Sequence, residues 1–589
     1  MTASLCCLWM KFILVYWHGI IQRYLLIAAA AVLSFMLLTE WNVFKDQRVA
    51  ATQDTSPRIA SSFSSPAASP QEQPTGIANR SDVYDTAANA DDVPTILPAL
   101  APQPNTPLGT SEPKNIIVIK NDVLEFVVDL RGGDIIETSL TKYPERIEDP
   151  DTPLVLLERS SERTYIMQSG LVGPDGIDTN GRAIYDASKN RYDATSASKT
   201  IVLSARDTPP GVAVEKHFTV APNTYTIEIS YHIVNNGTEI WQSIPFAQLK
   251  RDSSPAPSAD TSGFGMQPFL GAATTTPENR YEKFTFADIA DDPWKTQQTG
   301  GWIAMLQHYF TAALVPDAEA THTYSTRRTR DGFNIAGFTS EPLRIAPGQT
   351  GSWNTQFYAG PKDQYTLAEL APHLELVVDY GWLWWIGKPL FWLLTQIQSV
   401  VINWGVAIIL LTLLIKTAFF KLSAASYRSM AKMRKAQPKM VAIKEQHAND
   451  KQKQSQAMME LYKKEKINPM GGCLPILVQM PVFIALYWVL MESVELRQAP
   501  FALWIKDLAV MDPYFVLPLM MGASMFFMQK LNPPPPDPMQ AKLMQWLPVV
   551  FTFFFLWFPA GLVLYWVVNN LLSMAQQYYI TRQIERDMS

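Results

Sequence analysis

Hydrophobic and polar positions divide this chain into stretches with different periods. Tyr24–Leu38 (YLLIAAAAVLSFMLL) is apolar, with Arg23 before it and Glu40 after it. Residues 45–110 lose that character and become rich in Pro, Ser, Ala and Gln, a composition that cannot bury enough apolar surface to order itself. From Asn115 short β-branched and aromatic runs take over: IIVIK, VLEFVVDL, DIIETSL, VAVEKHFTV, YTIEISYHIV and GSWNTQFYAG. Gly132-Gly133, Pro222-Asn223 and Asn235-Asn236-Gly237 separate them, which predicts an all-β sandwich ending near Pro361. Trp241, Trp294 and Trp302 belong to its core or, alternatively, to a sugar- or peptide-binding groove.

Beyond Pro361 the pattern turns helical and apolar. Leu374–Ile397 is interrupted by Asp379, Gly381 and Lys388-Pro389, and its tryptophans suit a headgroup boundary, so it reads as an interfacial helix. Val400–Leu422 (VVINWGVAIILLTLLIKTAFFKL) is long enough to cross a bilayer. Three further apolar units follow: Cys473–Met491, broken by Pro475, Gln479 and Pro481; Pro513–Met528; and Leu543–Ile580. The last is too long for one helix, and Phe558-Pro559-Ala560-Gly561 marks a turn at its middle.

Charge orients these elements. Lys421–Met470 carries twelve Lys and Arg against four Asp and Glu, with apolar residues at helical spacing on either side of His447–Asp450. That predicts a basic helical hairpin on the cytoplasmic side. It serves topology alone, or it also docks RNA, anionic lipid or an acidic partner. Arg23 and Lys11 place the N-terminus of the first apolar run in the cytoplasm. With no small-x-small site after it, that run reads as an uncleaved anchor rather than a signal peptide. Six spans with both termini cytoplasmic leave the β-region outside. The residues before Arg23 look like an added leader.

One charge stands inside the second span. Lys416 sits one helical turn after Thr412, and a lysine within a span costs about 2.5–3.5 kcal/mol on insertion scales. Either it serves a function, or its stem snorkels to the nearby interface. The net charge of −5 over 589 residues conceals this asymmetry. Cys6, Cys7 and Cys473 form no disulfide or redox pattern, and the seven histidines have no metal-ligand spacing. Phosphate-binding glycine loops are also absent, so an enzyme reading starts low.

Several longer runs carry a resemblance: NPMGGCLPILVQMPVFIALY at Asn468–Tyr487, VELRQAPFALWIKDL at Val494–Leu508 and DPMQAKLMQWLPVVFTFFFLWFPAGLVLYW at Asp537–Trp566. With SMAKMRKAQPK at Ser429–Lys439 and GGWIAMLQHYF at Gly300–Phe310, they make the chain similar to the YidC family of membrane protein insertases of Gram-negative bacteria, kin to those of mitochondria and chloroplasts. The resemblance implies a multi-pass α-helical membrane protein of six transmembrane helices, five forming the insertase core, with a large periplasmic all-β supersandwich domain. The expected order is a leader at 1–23, an anchor at 24–41, a tether at 42–110, the β-domain at 111–370 and the interfacial helix at 371–397. Spans then follow at 398–420, 473–492, 512–529, 543–558 and 559–580. The basic hairpin occupies 421–472, a periplasmic loop 493–511, a cytoplasmic loop 530–542 and a cytoplasmic tail 581–589.

The resemblance also implies a mechanism and its residues. Five spans enclose a hydrophilic groove open to cytoplasm and lipid, in which a basic residue draws in the polar tail of an incoming chain. Lys416 matches that position, commonly arginine in the family, and Thr412, Gln479, Tyr565 and Asn569 match other groove-lining positions. Lys421 stands where the family's better-known members have proline, which leaves the helix end less sharply stopped. Nascent membrane proteins, the Sec translocon with its accessory subunits, the ribosome and anionic lipids are the implied partners. Arg428, Lys432, Arg434, Lys435 and Lys439 are candidates for the ribosome or partner contact. No cofactor, metal or small-molecule substrate is implied. Two other classes remain in view: a transporter or channel with an intramembrane lysine site, for which no inverted repeat is found, and an anchored periplasmic ligand-binding module.

Overall fold

The computed structural model describes Pro94 and residues 115–256, 268–447, 450–465, 474–531 and 538–588. The expected leader, the anchor and, apart from Pro94, the tether lie outside the described residues, as does the centre of the loop at 530–542.

Residues 116–361 form two sheets, of eleven and nine strands among the described residues. In the nine-stranded sheet, Thr226–Asn235 pairs with Val212–Val220 on one side and Gln349–Pro361 on the other. Its alternation is regular: Ile227, Ile229, Tyr231 and Ile233 point inward, while Glu228 and His232 face out. In the eleven-stranded sheet, Trp241–Arg251 lies between Thr164–Val172 and Asn334–Ser340. The two inner faces meet in one core, where Phe126 lies against Phe218. Asn223 turns the chain between two strands at φ 55°, a left-handed conformation that Asn tolerates. Trp241 and Trp302 are buried and Trp294 packs on Phe284, which favours the core reading of these tryptophans over the groove.

One inward position departs from the alternation rule. Lys216 lies among Val214 and Phe218 with no exposed surface, and its Nζ donates to the carbonyls of Gly133 (2.8 Å) and Gly132 (3.1 Å). Burial pushes its ammonium down to about 7, against the opposing pull of Asp134.

Two short helices, α1 (Phe286–Asp291) and α2 (Gln364–Leu370), belong to this region. The expected interfacial helix is shorter at its start. Leu374–Val377 and Gly381–Leu383 are single 3₁₀ turns separated at Asp379, and the α-helix proper, α3, runs Trp384–Val401. Gly381, at φ 64°, supplies the left-handed residue that breaks the run. Trp382, Trp384, Trp385 and Trp392 are exposed along it.

Helix α4 (Trp404–Ala418) starts at Asn403, whose side chain accepts from the Val406 amide. It is therefore shorter at both ends than the 398–420 read from sequence. After Phe419 the chain turns by 67° into α5 (Phe420–Gln446). The sharp stop thus survives the lysine at 421. Thr417 Oγ1 bonds back to Leu413 O at 2.8 Å just before the bend, a contact that bends helices without proline. Helix α6 (Lys451–Lys464) returns antiparallel, and Met440 and Leu461 close the hairpin core. Four helices complete the chain: α7 (Leu474–Glu492), α8 (Val516–Leu531), α9 (Pro538–Phe554) and α10 (Ala560–Met588). The expected turn lies between α9 and α10, where the Ala560 amide donates to Val510 O. Among the described residues no single helix is long and apolar enough to cross a membrane, whereas the bent pair α4–α5 passes together.

The β-region and the helices share their packing. Trp302, Leu306 and Tyr358 belong to the same apolar cluster as Leu411 on α4 and Leu490 on α7, while Val494 enters the core of the sandwich. Polar contacts fix the junction. Lys362 pairs with Glu492 at 2.6 Å, His308 Nε2 donates to Met491 O at 2.9 Å, and Arg497 donates to Pro144 O at 2.8 Å. Burial and the Lys362 charge hold His308 down to about 3, so it remains neutral. Burial, reinforced by Asp363, pushes Glu495 up to about 7.

Candidate functional site

The polar cluster of the site comes from three helices, and α5 adds Leu422 and Ser423 to the cleft beside it. On α4, Thr412 and Lys416 lie one turn apart and both are buried. Helix α7 supplies Gln479. Helix α10 supplies Tyr565, Asn569 and Ser573 at i, i+4 and i+8, hence on one face.

Lys416 is held between α7 and α10. Its Nζ donates to Ser573 Oγ at 2.7 Å and to Gln479 Oε1 at 3.2 Å. Gln479 Nε2 in turn donates to Asn569 Oδ1 at 2.5 Å, and Ser573 Oγ donates to the backbone carbonyl of Asn569 at 2.7 Å. The ammonium is thus held by neutral acceptors. Among the described residues no carboxylate lies within ion-pair distance of it. Only 7 % of Lys416 is exposed, and it opens onto a cleft lined with it by Ile415, Phe419, Leu422, Ser423, Val478 and Gln479.

The other expected groove residues are placed unequally. Thr412 is turned inward, but its hydroxyl donates to Ile408 O at 2.6 Å, which leaves its oxygen as an acceptor with no free donor. Tyr565 is buried and stacks on Phe483, one turn beyond Gln479, at 6.0 Å between ring centroids. Ser573 was not among the residues expected from sequence. Its signal is its position one turn after Asn569, on the face that already carried Tyr565. A second polar contact joins α10 to α8, where Asn570 Nδ2 donates to Ser524 Oγ at 3.0 Å.

The basic candidates lie apart from this cluster, on α5. Arg428, Lys432, Lys435 and Lys439 fall at spacings of four, three and four on one exposed stripe. Lys439 reaches across the hairpin to Glu465 at 2.6 Å, and Arg434 donates to the Leu531 carbonyl. Among the described residues no group of three His, Cys, Asp or Glu side chains is placed to share a metal ion.

The sequence is similar to those of known proteins over most of its length. The family described as "60Kd inner membrane protein" matches residues 396–587, and that described as "YidC periplasmic domain" matches residues 116–393. The protein named membrane protein insertase YidC in Azotobacter vinelandii is 49 % identical over 568 residues, covering 96 % of this chain and 99 % of its own. Its namesake in Pseudomonas fluorescens (strain Pf0-1) is 49 % identical over 567 residues, covering 96 % and 98 %. That of a Marinomonas strain is 48 % identical over 569 residues, covering 96 % and 99 %. Identity at this level over both matched regions is decisive: the chain belongs to the YidC family.

Proposed function

We propose that this chain is a membrane protein insertase and chaperone of the bacterial inner membrane, which inserts, folds and helps assemble integral membrane proteins. It acts alone or with a Sec-type translocon. The reading includes six spans with both termini cytoplasmic and the β-domain periplasmic. Support for that orientation comes from the basic stripe on α5, which suits a face turned to ribosomal RNA and anionic headgroups.

The observation that carries the mechanism is the ammonium of Lys416, buried among Gln479 and Ser573 with neutral partners only. A cation paired with a carboxylate would present little field to its surroundings. One solvated by an amide and a hydroxyl keeps its charge directed at the cleft. A substrate's polar tail cannot cross hydrocarbon without losing its hydration, at several kcal/mol per unsatisfied group. A polar cleft partway across shortens that path, and the Lys416 field offsets part of the desolvation of an acidic tail. The apolar segment of the substrate then partitions into lipid, which supplies the driving force. At fifteen residues, α4 rises roughly 22 Å against about 30 Å of hydrocarbon, which suits a locally thinned bilayer.

A photo-reactive residue at position 412 tests this reading with a ribosome-bound nascent membrane protein. The expected result is an adduct with the substrate's translocating segment. Adducts from the β-domain surface in place of position 412 would move the substrate path out of the helices. A solute transporter using Lys416 would instead show solute flux with no substrate adduct.

A further inference from the structure

Three bulky apolar residues sit in a backbone conformation that L side chains rarely adopt: Ile402 (φ 57°), Leu503 (φ 55°) and Phe515 (φ 56°). Ile402 occupies the left-handed position that closes α3, where glycine is the usual residue. A β-branched side chain there is a strained choice. The strain exposes apolar surface rather than burying it, since Ile402 is 84 % and Leu503 87 % exposed.

The three lie at one place in the fold. Asn403, next to Ile402, donates to the carbonyl of Phe501 at 2.9 Å. Trp504, next to Leu503, donates to Asp512 Oδ1 at 2.9 Å, and the same carboxylate accepts from the amides of Tyr514 and Leu517 at 3.0 and 2.7 Å. Two side chains, Asn403 and Asp512, thereby stitch three left-handed tips into one rigid edge. Asp512 is fully buried, so the stitching is not a surface accident.

The edge continues two exposed apolar stripes. Ile402, Val406 and Leu410 follow one another at helical spacing into α4, and Phe515 leads to Leu519 on α8 in the same way. Lys506, also exposed, follows three residues after Leu503. We infer that Ile402, Leu503 and Phe515 form an anchor that seats in the acyl–headgroup boundary of the leaflet on the β-domain side. They extend the apolar band beyond the ends of helices too short to span it. A lysine near such an edge lays its stem on the apolar band and keeps its ammonium in the headgroup layer. The inference rests on the reading of α4 and α8 as membrane helices.

The full chain, with Cys6, Cys7 and Cys473 changed to Ser, is labelled with an environment-sensitive fluorophore at Leu503→Cys or Leu519→Cys and reconstituted in vesicles. Lipids brominated near the glycerol end of the acyl chain should remove most of the emission at position 503, and aqueous iodide should remove little. Position 519 reports on the membrane reading itself and should be quenched by bromolipid as well. Quenching at 503 by iodide alone, with 519 still quenched by lipid, overturns the anchor and leaves the membrane reading standing. Shielding of 503 from both quenchers also overturns it, because protein would then cover the edge. Silence at 519 toward bromolipid removes the membrane reading first.

Discussion

Lys362, one residue past the last strand of the β-domain, pairs at 2.6 Å with Glu492 at the end of α7, and both side chains are only 4 % exposed. It links the β-domain to the helices beside the apolar cluster they share. A buried pair of this kind holds position through the cost of separating it, since either charge alone is left unsolvated.

Lys362→Met should therefore cost about 3–5 kcal/mol at the junction, and Glu492→Leu a similar amount. The double change, which removes both charges, should recover most of that loss. Thermal unfolding of the four proteins in detergent closes the cycle. Additive losses in the double variant would show that the two residues act separately.

Lys216 gives the β-domain a pH dependence of known sign. Its ammonium titrates near 7 when folded and near 10.4 when unfolded. Below about 7 both states are charged and the folded state carries the full burial cost. As pH rises from 7 to 10 the folded state loses its proton first, so this cost is relieved. Lys216→Met removes the dependence. The midpoint of the variant minus that of the parent should fall between pH 7 and pH 10, followed by tryptophan fluorescence. A flat difference would mean that Lys216 stays charged in the folded domain.

The basic stripe on α5 should answer to salt. Neutralising Lys432, Arg434, Lys435 and Lys439 together should weaken ribosome co-sedimentation. The slope of log affinity against log salt should decrease by up to about 3–4 if all four meet phosphates. The Lys439–Glu465 pair is exposed and screened by water, so it does not protect that position. An unchanged slope would leave these residues only an orienting role.

The legibility of the fold in the sequence follows from what each pattern encodes. Strict alternation in YTIEISYHIV made the sandwich readable, because one buried face forces a period of two. The same rule failed at Lys216, since the carbonyls of Gly132 and Gly133 that accept its hydrogen bonds lie some eighty residues away in sequence. Apolar length located the helices but not their ends. Ile402 and Asn403 stop and restart the chain inside a mostly apolar run, and a φ of 57° at isoleucine leaves no mark in composition. In the cluster around Lys416, Thr412 was found by spacing, while Gln479, Tyr565 and Asn569 came only through family resemblance. Ser573 escaped both, because one more serine on a polar helix face carries no signal until its partner is in place.

The central claim is that Lys416 acts as an unneutralised charge facing the substrate, and swapping charges between it and the substrate tests this most directly. Insertion is measured at matched expression for one substrate whose translocated tail is acidic, neutral or carries an added lysine. Lys416→Arg should remain near the parent for every tail. Lys416→Ala should impair the acidic tail more than the neutral one, and Lys416→Glu should be worst for the acidic tail and partly rescued by the tail lysine. Equal insertion of all three tails by Lys416→Ala, at the parent's level, would contradict the account and leave Lys416 as a structural link between α4, α7 and α10.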